Sequence, residues 1–175
     1  MNLVSVYTNP TNAASIDASQ IKTAKTTLDF AAYSLTEPSI CAAILDRAQA
    51  GISVRLYLDR TELEAEARGN PALPTSALHR LMNQPNIAIR VKASSVLMHL
   101  KSYCVDHSLL RDGSANFSPL GECEQDNSVM LIVDPETITN FESKFDQMWG
   151  RADNISIEQA IESSPSYAAH RGKSH

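Results

Sequence analysis

Runs of apolar residues alternate along the chain with segments in which apolar residues recur every three or four positions. The runs predict β-strands, and the segments with the longer period predict helices. Predicted strands cover residues 3–8, 28–35, 52–59, 87–92, 99–106, 108–114 and 128–134. Predicted helices cover residues 13–25, 37–50 and 76–83, followed by a last helix that begins at Pro135. Strands that alternate with helices and then cluster indicate an α/β fold, a single domain whose mixed β-sheet is flanked by helices on both faces.

The last predicted helix marks the end of this domain. Its apolar face consists of Ile138, Phe141, Phe145, Met148 and Trp149. Beyond about Asp153 the pattern weakens and no further element is predicted. We therefore expect one domain over residues 1–153 and a mobile C-terminal tail over residues 154–175.

The composition is that of an ordinary globular protein. The chain has 175 residues, of which 43% are hydrophobic, and no apolar run approaches the ~20 residues of a membrane span. Stable membrane insertion is therefore not expected. The first fifteen residues lack a basic segment followed by an apolar one, so no secretory signal is visible. This favours the cytoplasm, with the periplasm or the cell exterior as the alternative if a signal has been removed.

The three cysteines, Cys41, Cys104 and Cys123, are an odd number without the spacing of metal ligands. Cys41 and Cys104 lie among apolar residues and are expected in the core. Neither a disulfide scaffold nor a metal site is predicted.

Charge is distributed unevenly along the chain. The net charge of −5 argues against a protein that coats nucleic acid over its whole surface. Residues 51–111 carry eight basic and five acidic side chains, a local charge of +3, whereas residues 112–162 carry two basic and eleven acidic ones, a local charge of −9. An anionic substrate is expected to meet the middle of the chain, although scattered solvated charge remains an equal alternative. The basic residues there include Arg55, Arg60, Arg90, Lys92, Lys101 and Arg111.

The stretch from Met98 to Ser118 contains the candidate chemistry. His99 and Lys101 are two positions apart, so on a strand their side chains share one face, where polar groups need either a partner or a function. Ser114 and Asn116 follow thirteen and fifteen residues after Lys101. Lysine and asparagine can donate hydrogen bonds to phosphate oxygens, and an imidazole can attack phosphorus or move a proton.

The spacing of these residues resembles the HKD signature of the phospholipase D superfamily. His99-x-Lys101 is followed after four residues by Asp106 and after six more by Gly113-Ser114-x-Asn116. Residues 28–60 and the segment after Asn116 resemble small bacterial single-motif nucleases of that superfamily. The resemblance covers roughly residues 3–150 and is most specific over residues 98–118.

The resemblance implies a phosphodiesterase that needs neither a metal nor a cofactor. One motif histidine attacks phosphorus to form a phosphohistidine, and a second histidine, from another copy of the motif, protonates the leaving oxygen. His99, Lys101 and Asn116 match the catalytic positions, and Lys101, Ser114 and Asn116 match the phosphate-binding ones. Asp106 and Gly113 are interpreted as structural, with Asp106 expected to hold the turn before Gly113.

This chain has one copy of the motif. His79, His107, His170 and His175 have no lysine two residues later. A complete site therefore requires a homodimer in which each chain contributes His99 and Lys101.

The family also supplies an acidic residue that orients the catalytic imidazole, usually in a segment that resembles Asn-x-Glu-Asn. Here the segment reads Glu124-Gln125-Asp126-Asn127. We assign the orienting role to Asp126, one methylene shorter than glutamate, with Glu124 as the alternative.

Three functions remain open. The first is a nonspecific endonuclease that cleaves DNA or RNA. The second is a phospholipase D acting on lipid head groups, which predicts an exposed apolar loop beside the site. The third is a dimeric nucleic-acid-binding module without catalytic activity.

Overall fold

The computed structural model describes residues 3–8, 13–63 and 77–163. Eight strands of this part form one mixed sheet in the order β1-β7-β6-β5-β2-β3-β4-β8. The strands are β1 (Leu3–Thr8), β2 (Thr27–Ala32), β3 (Ser53–Asp59), β4 (Ile87–Lys92), β5 (Lys101–Val105), β6 (Leu109–Gly113), β7 (Ser128–Ile132) and β8 (Asn154–Ile155). Strands β2, β3 and β4 run parallel, and the other neighbours pair antiparallel.

Helices cover both faces of this sheet, as the sequence predicts. They are α1 (Ala13–Ile21), α2 (Pro38–Gln49), α3 (Pro119–Cys123), α4 (Pro135–Trp149) and α5 (Ile157–Glu162). Phe30 of the central strand β2 packs on one face in a buried cluster with residues of α1 and α2. The next residue, Ala31, packs on the other face with Phe145 and Met148 of α4. Strand β2 is buried on both faces because parallel crossovers place helices on each side of it.

Some boundaries differ from the predicted ones. Strand β5 begins at Lys101 rather than at residue 99, and α1 ends at Ile21 rather than at residue 25. The helix predicted over 76–83 is wrong: in the described part of that range one 3-10 turn, His79–Leu81, ends in extended backbone at Met82.

The fold continues beyond residue 153, where the sequence predicts a mobile tail. β8 pairs with β4, and α5 is preceded by its N-cap Ser156, whose side chain forms a reciprocal capping box with Gln159. Ile157 and Ala160 are buried. The predicted boundary therefore falls inside the packed domain, and residues 164–175 lie outside the described part.

None of the helices described is both long and apolar enough to cross a bilayer.

Candidate active site

The site lies where the central strands β2 and β3 end. Directly after Ala32, the Tyr33 amide donates to the Leu100 carbonyl at 2.9 Å. The amides of Thr36 and Glu37 both donate to the Phe117 carbonyl, at 2.8 and 2.9 Å. The segment after β2 is thus bonded to the first half of the motif, residues 99–101, and to Phe117, which directly follows the second half, residues 113–116.

The backbone around His99 is anchored while its imidazole is open. The Met98 amide donates to the Asp59 carboxylate at 2.7 Å, and the His99 carbonyl accepts a bond from Lys101. The exposed His99 ring meets the Tyr33 ring edge-on, with 4.6 Å between the centroids. A fixed backbone with an accessible imidazole suits a nucleophile that a substrate must reach.

Lys101 is buried, and like the His99 imidazole it contacts the Tyr33 ring. Its Nζ donates to the His99 carbonyl at 2.9 Å and lies 4.8 Å from the centre of the Tyr33 ring. Burial lowers the pKa of Lys101 to about 8, against the opposing charges of Glu62 and Asp59. An ammonium with only part of its hydration is a strong donor to an incoming anion.

Asn116 lies in the loop after β6, and α3 packs against the backbone of this loop. The Ser118 amide donates to the Asn116 carbonyl at 2.8 Å. A Cβ at Gly121 would lie 2.3 Å from that carbonyl oxygen, so α3 can approach because residue 121 lacks a side chain. Asn116 Oδ1 is buried and has no hydrogen-bond partner among the described residues.

The Ser114 hydroxyl forms hydrogen bonds to Asn127 and Ser128 in this structure. It donates to Asn127 Oδ1 at 2.8 Å and accepts from the Ser128 amide at 3.0 Å. The predicted phosphate bond would therefore compete with the bond to Asn127, and phosphate binding by Ser114 stays a prediction.

Asp106 forms structural bonds, but to a different segment from the expected one. Its carboxylate accepts from the amides of Lys25, Thr26 and Thr27 at 2.8 to 3.0 Å. These bonds outweigh partial burial and hold the pKa of Asp106 below its usual value. Asp106 thus fixes the entry to β2 rather than the turn before Gly113.

Gly113 lies at a close approach between strands. A Cβ there would come within 2.1 Å of the Ser128 carbonyl oxygen of β7. The motif glycine is therefore a packing requirement, consistent with the predicted structural role.

Neither candidate for the orienting acid contacts the imidazole in the part of the chain described. Asp126 and Glu124 are both exposed, and neither carboxylate takes part in the side-chain hydrogen bonds of the described residues. The assignment of Asp126 stays a prediction.

Several of the basic residues that were expected to meet an anionic substrate are occupied inside the fold. Arg55 binds Asp29 and Asp146, and Arg111 lies completely buried between Asp17 and Glu122. For Arg111 the expected substrate contact is wrong, because the side chain is fully buried. Arg55 is 30% exposed and already pairs with two carboxylates of the same chain.

Lys92 and Arg90 also bond within the fold. Lys92 is largely buried and donates to the Leu97 carbonyl at 3.3 Å. Arg90 donates to the Trp149 carbonyl and lies over its indole ring. The basic middle of the chain is therefore mostly structural.

Sequence reasoning did not identify Tyr33 and Asp59 as members of the site. Both stand at or just beyond the carboxyl ends of parallel strands, the edge at which open α/β sheets bind ligands. That position is the signal by which they could have been found.

Among the described residues no group of three or more histidine, cysteine, aspartate or glutamate side chains is placed to hold a metal ion.

Comparison with known proteins gives a consistent family. A family model described as "Cardiolipin synthase, PLD-like domain" matches residues 18–149. The mitochondrial cardiolipin hydrolase of Chlamydomonas reinhardtii is 26% identical over 123 residues, which cover 70% of this chain and 51% of that protein. A phospholipase D of Rickettsia bellii is 26% identical over 135 residues, or 77% of this chain and 63% of that protein. The chain thus spans between half and two thirds of these relatives.

The same fold occurs in a solved structure of similar size. NucT from Helicobacter pylori superimposes with a TM-score of 0.73 and 23% sequence identity, over 89% of this chain and 100% of that chain. At this identity the likeness shows a common fold.

Proposed function

Since the chain belongs to the phospholipase D-like family, whose model covers residues 18–149, we propose that it is a metal-independent phosphodiesterase built on His99, Lys101 and Asn116. One observation carries the proposal: the exposed His99 imidazole and the buried Lys101 ammonium both contact the Tyr33 ring, and the backbone around His99 is held by Asp59 and by Lys101. Fixed donors of this kind stabilise charge that develops on phosphoryl oxygens.

In the proposed reaction, the imidazole of His99 attacks phosphorus while the bond from phosphorus to the leaving oxygen breaks. His99 of the partner subunit gives that oxygen a proton. Water then attacks the phosphohistidine, the partner subunit's His99 takes a proton from it, and the first imidazole is released. Lys101 and Asn116 donate hydrogen bonds to the phosphoryl oxygens in both steps.

The dimer in this proposal is supported by the single motif of the chain. The reaction uses two histidines of the same kind, and the sequence supplies one. A two-fold axis beside the exposed His99 would bring two copies together.

Nucleic acid is the first proposed substrate. Support comes from the resemblance of residues 98–118 to small single-motif nucleases. The enzyme would then cut DNA or RNA without sequence preference, since aromatic residues for base stacking make up only 6% of the chain.

Phospholipid is the second candidate substrate. Exposed apolar side chains beside the site support it. Val96 and Leu97 are 70% and 45% exposed, just before His99, and Leu120 is 55% exposed, just after the Asn116 loop. Exposed large apolar residues next to an active site suit an interface with lipid. The names of the two relatives, a cardiolipin hydrolase and a phospholipase D, agree with this candidate.

The activity is tested with plasmid DNA, single-stranded RNA and phospholipid vesicles in the presence of EDTA. We expect cleavage of at least one substrate, lowered about 10³-fold or more by His99→Ala. His107→Ala is the matched control, since His107 is also exposed but bonds to Glu142 outside the site. Cleavage that needs a divalent metal, or that survives the loss of His99, would refute the proposal.

The role of the exposed residues is tested with Val96→Ser combined with Leu97→Ser. If they bind lipid, activity on vesicles falls about tenfold or more, while activity on soluble bis(p-nitrophenyl) phosphate is retained and the dimer persists. If they lie in the dimer interface, light scattering shows monomers and both activities fall. If both activities are unchanged in the double variant, these side chains no longer support phospholipid as the substrate.

A further inference from the structure

Arg111 lies at the centre of a fully buried polar cluster behind the motif. The residue belongs to β6, and its guanidinium has five N–H donors. Nε donates to Asp17 Oδ2 at 3.0 Å, and Nη2 reaches the same carboxylate at 2.9 Å and Glu122 Oε1 at 3.2 Å. Nη1 donates to the carbonyl of Lys101 at 2.7 Å and to that of Ala115 at 3.2 Å. Four of these contacts are hydrogen bonds, and the contact between Nη2 and Asp17 is an ion pair.

The carbonyl contacts join the two halves of the motif. Lys101 belongs to the first half, and Ala115 immediately precedes Asn116. Pairing between β5 and β6 ends at Tyr103 and Arg111 on the side of the site. Beyond that pair, Arg111 Nη1 bridges the gap that the strand ladder no longer closes.

The carboxylates fix the guanidinium against two helices. Asp17 belongs to α1 and also accepts a bond from the Tyr103 hydroxyl at 2.9 Å. Glu122 belongs to α3, the helix that supports the Asn116 loop. The Phe117 ring covers one face of the guanidinium, with its centroid 4.4 Å from the central carbon. Arg111 is therefore held in place from α1, β5, α3 and the loop.

We propose that Arg111 is a positioning residue for phosphodiester hydrolysis, because its guanidinium sets the separation between Lys101 and Asn116. The inference rests on the proposed function for its activity readout. Arg111 itself is buried and cannot touch substrate, so it acts through the two backbone carbonyls. A shift of either donor by about 1 Å can slow a reaction about 10²-fold without removing any catalytic group.

Lysine cannot replace this arginine in the proposed role. Its ammonium has three donors at a single point, whereas the planar guanidinium reaches four separate residues. Arg111→Lys keeps the charge that the carboxylates need and loses the bridge between the carbonyls. This variant therefore distinguishes the positioning role of Arg111 from the effect of its positive charge.

The experiment measures single-turnover cleavage of bis(p-nitrophenyl) phosphate over a range of enzyme concentrations in excess of substrate. A smaller folded fraction shifts the half-saturating concentration and leaves the plateau rate unchanged. We expect Arg111→Lys to lower the plateau about 10-fold to 100-fold. Arg55→Lys is the matched control, since Arg55 also pairs with two carboxylates, Asp29 and Asp146, but on the opposite face of the sheet. Its plateau should be that of the wild type.

A plateau for Arg111→Lys equal to that of the wild type overturns the inference. Should this variant not fold, Arg111→Gln combined with Asp17→Asn and Glu122→Gln removes all three charges together. A folded triple variant with a wild-type plateau also overturns the inference, and a lowered plateau supports it. If the wild type itself cleaves no phosphodiester, or if His99→Ala is as active as the wild type, the proposed function fails independently of the role of Arg111.

Discussion

Lys101 combines two properties that oppose each other. Burial disfavours its charged form and lowers its pKa to about 8, while proposed phosphate binding requires that charged form. Nearby Glu62 and Asp59 offset part of the loss by raising the pKa. The carboxylates of Glu62 and Asp59 thus help to keep the Lys101 ammonium charged near neutral pH.

The pH dependence of activity should show this balance. Lys101 is protonated below its pKa, so its contribution to kcat/KM should be present below pH 8 and lost as the pH rises through about 8, which sets the alkaline limb of the profile. Glu62→Gln removes a charge that raises this pKa, so the alkaline limb should move to lower pH. The measurement is kcat/KM for bis(p-nitrophenyl) phosphate against pH.

A second group titrates in the same range and needs a control. Burial and the charge of Asp17 raise the pKa of Glu122 to about 8, against the effect of Arg111. Glu122→Gln should leave the alkaline limb where it is in the wild type. A limb that moves with Glu122→Gln and not with Glu62→Gln would show that Lys101 is not the titrating group.

At the scale of single residues, the sequence predicts site residues only where they lie close together along the chain. His99, Lys101 and Asn116 fall within eighteen residues and match one signature. The ion pair of Arg111 with Asp17 joins positions 94 residues apart, and no local pattern shows that two such side chains will be buried together. The sequence therefore predicts Arg111 as surface charge, which the fold contradicts.

At the scale of elements, α3 determines where the Asn116 loop lies. This five-residue helix begins after Ser118, whose Oγ accepts from the Gly121 amide at 3.2 Å. Gly121 then lies directly against the Asn116 backbone. The packing of α3 against the Asn116 backbone therefore fixes the position of this loop.

Gly121→Ala should therefore disturb both stability and activity. The added Cβ would lie 2.3 Å from the Asn116 carbonyl oxygen, so helix or loop must move. We expect the free energy of unfolding to fall by about 1–3 kcal/mol, with a lower kcat in the folded protein. Denaturant unfolding and steady-state kinetics measure the two effects.

Gly150→Ala is the matched control. A Cβ there would lie 3.3 Å from the Asp146 carbonyl oxygen, a contact that a small shift relieves, at the end of α4 away from the Asn116 loop. It should change the free energy of unfolding by less than about 0.5 kcal/mol and leave kcat unchanged. Equal effects of the two substitutions would show that Gly121 has no special place in the site.

Elements with a clear period were predicted well, and short ones were missed. Strand β4 has the predicted limits, and α4 begins at Pro135 as expected. α3 contains a proline and a glycine within five residues and completes little more than one turn, too short for a periodic pattern. β8 has two residues and is defined by pairing with β4, which the sequence does not show.

At the scale of the whole molecule, the proposed site depends on two chains. If both copies of His99 act in one reaction, a dimer with one wild-type chain and one His99→Ala chain should be inactive. Activity of mixed, re-equilibrated dimers should then follow the square of the wild-type fraction. Equal amounts of the two chains should leave about one quarter of the wild-type activity.

The same mixture with His107→Ala in place of His99→Ala should keep full activity, because His107 bonds to Glu142 outside the site. A linear decline with His99→Ala would show that each chain acts alone. Gel filtration with light scattering confirms that the mixed species are dimers.

The cluster of Asp17, Arg111 and Glu122 also restricts how this sequence can diverge. Removing one partner of a buried ion pair costs about 3–5 kcal/mol, a large part of the about 5–15 kcal/mol that stabilises a typical domain. A lineage that loses the arginine would be left with two buried carboxylates and must replace them as well. Positions 17, 111 and 122, which lie in three different elements, are therefore expected to change together among relatives of this chain or not at all.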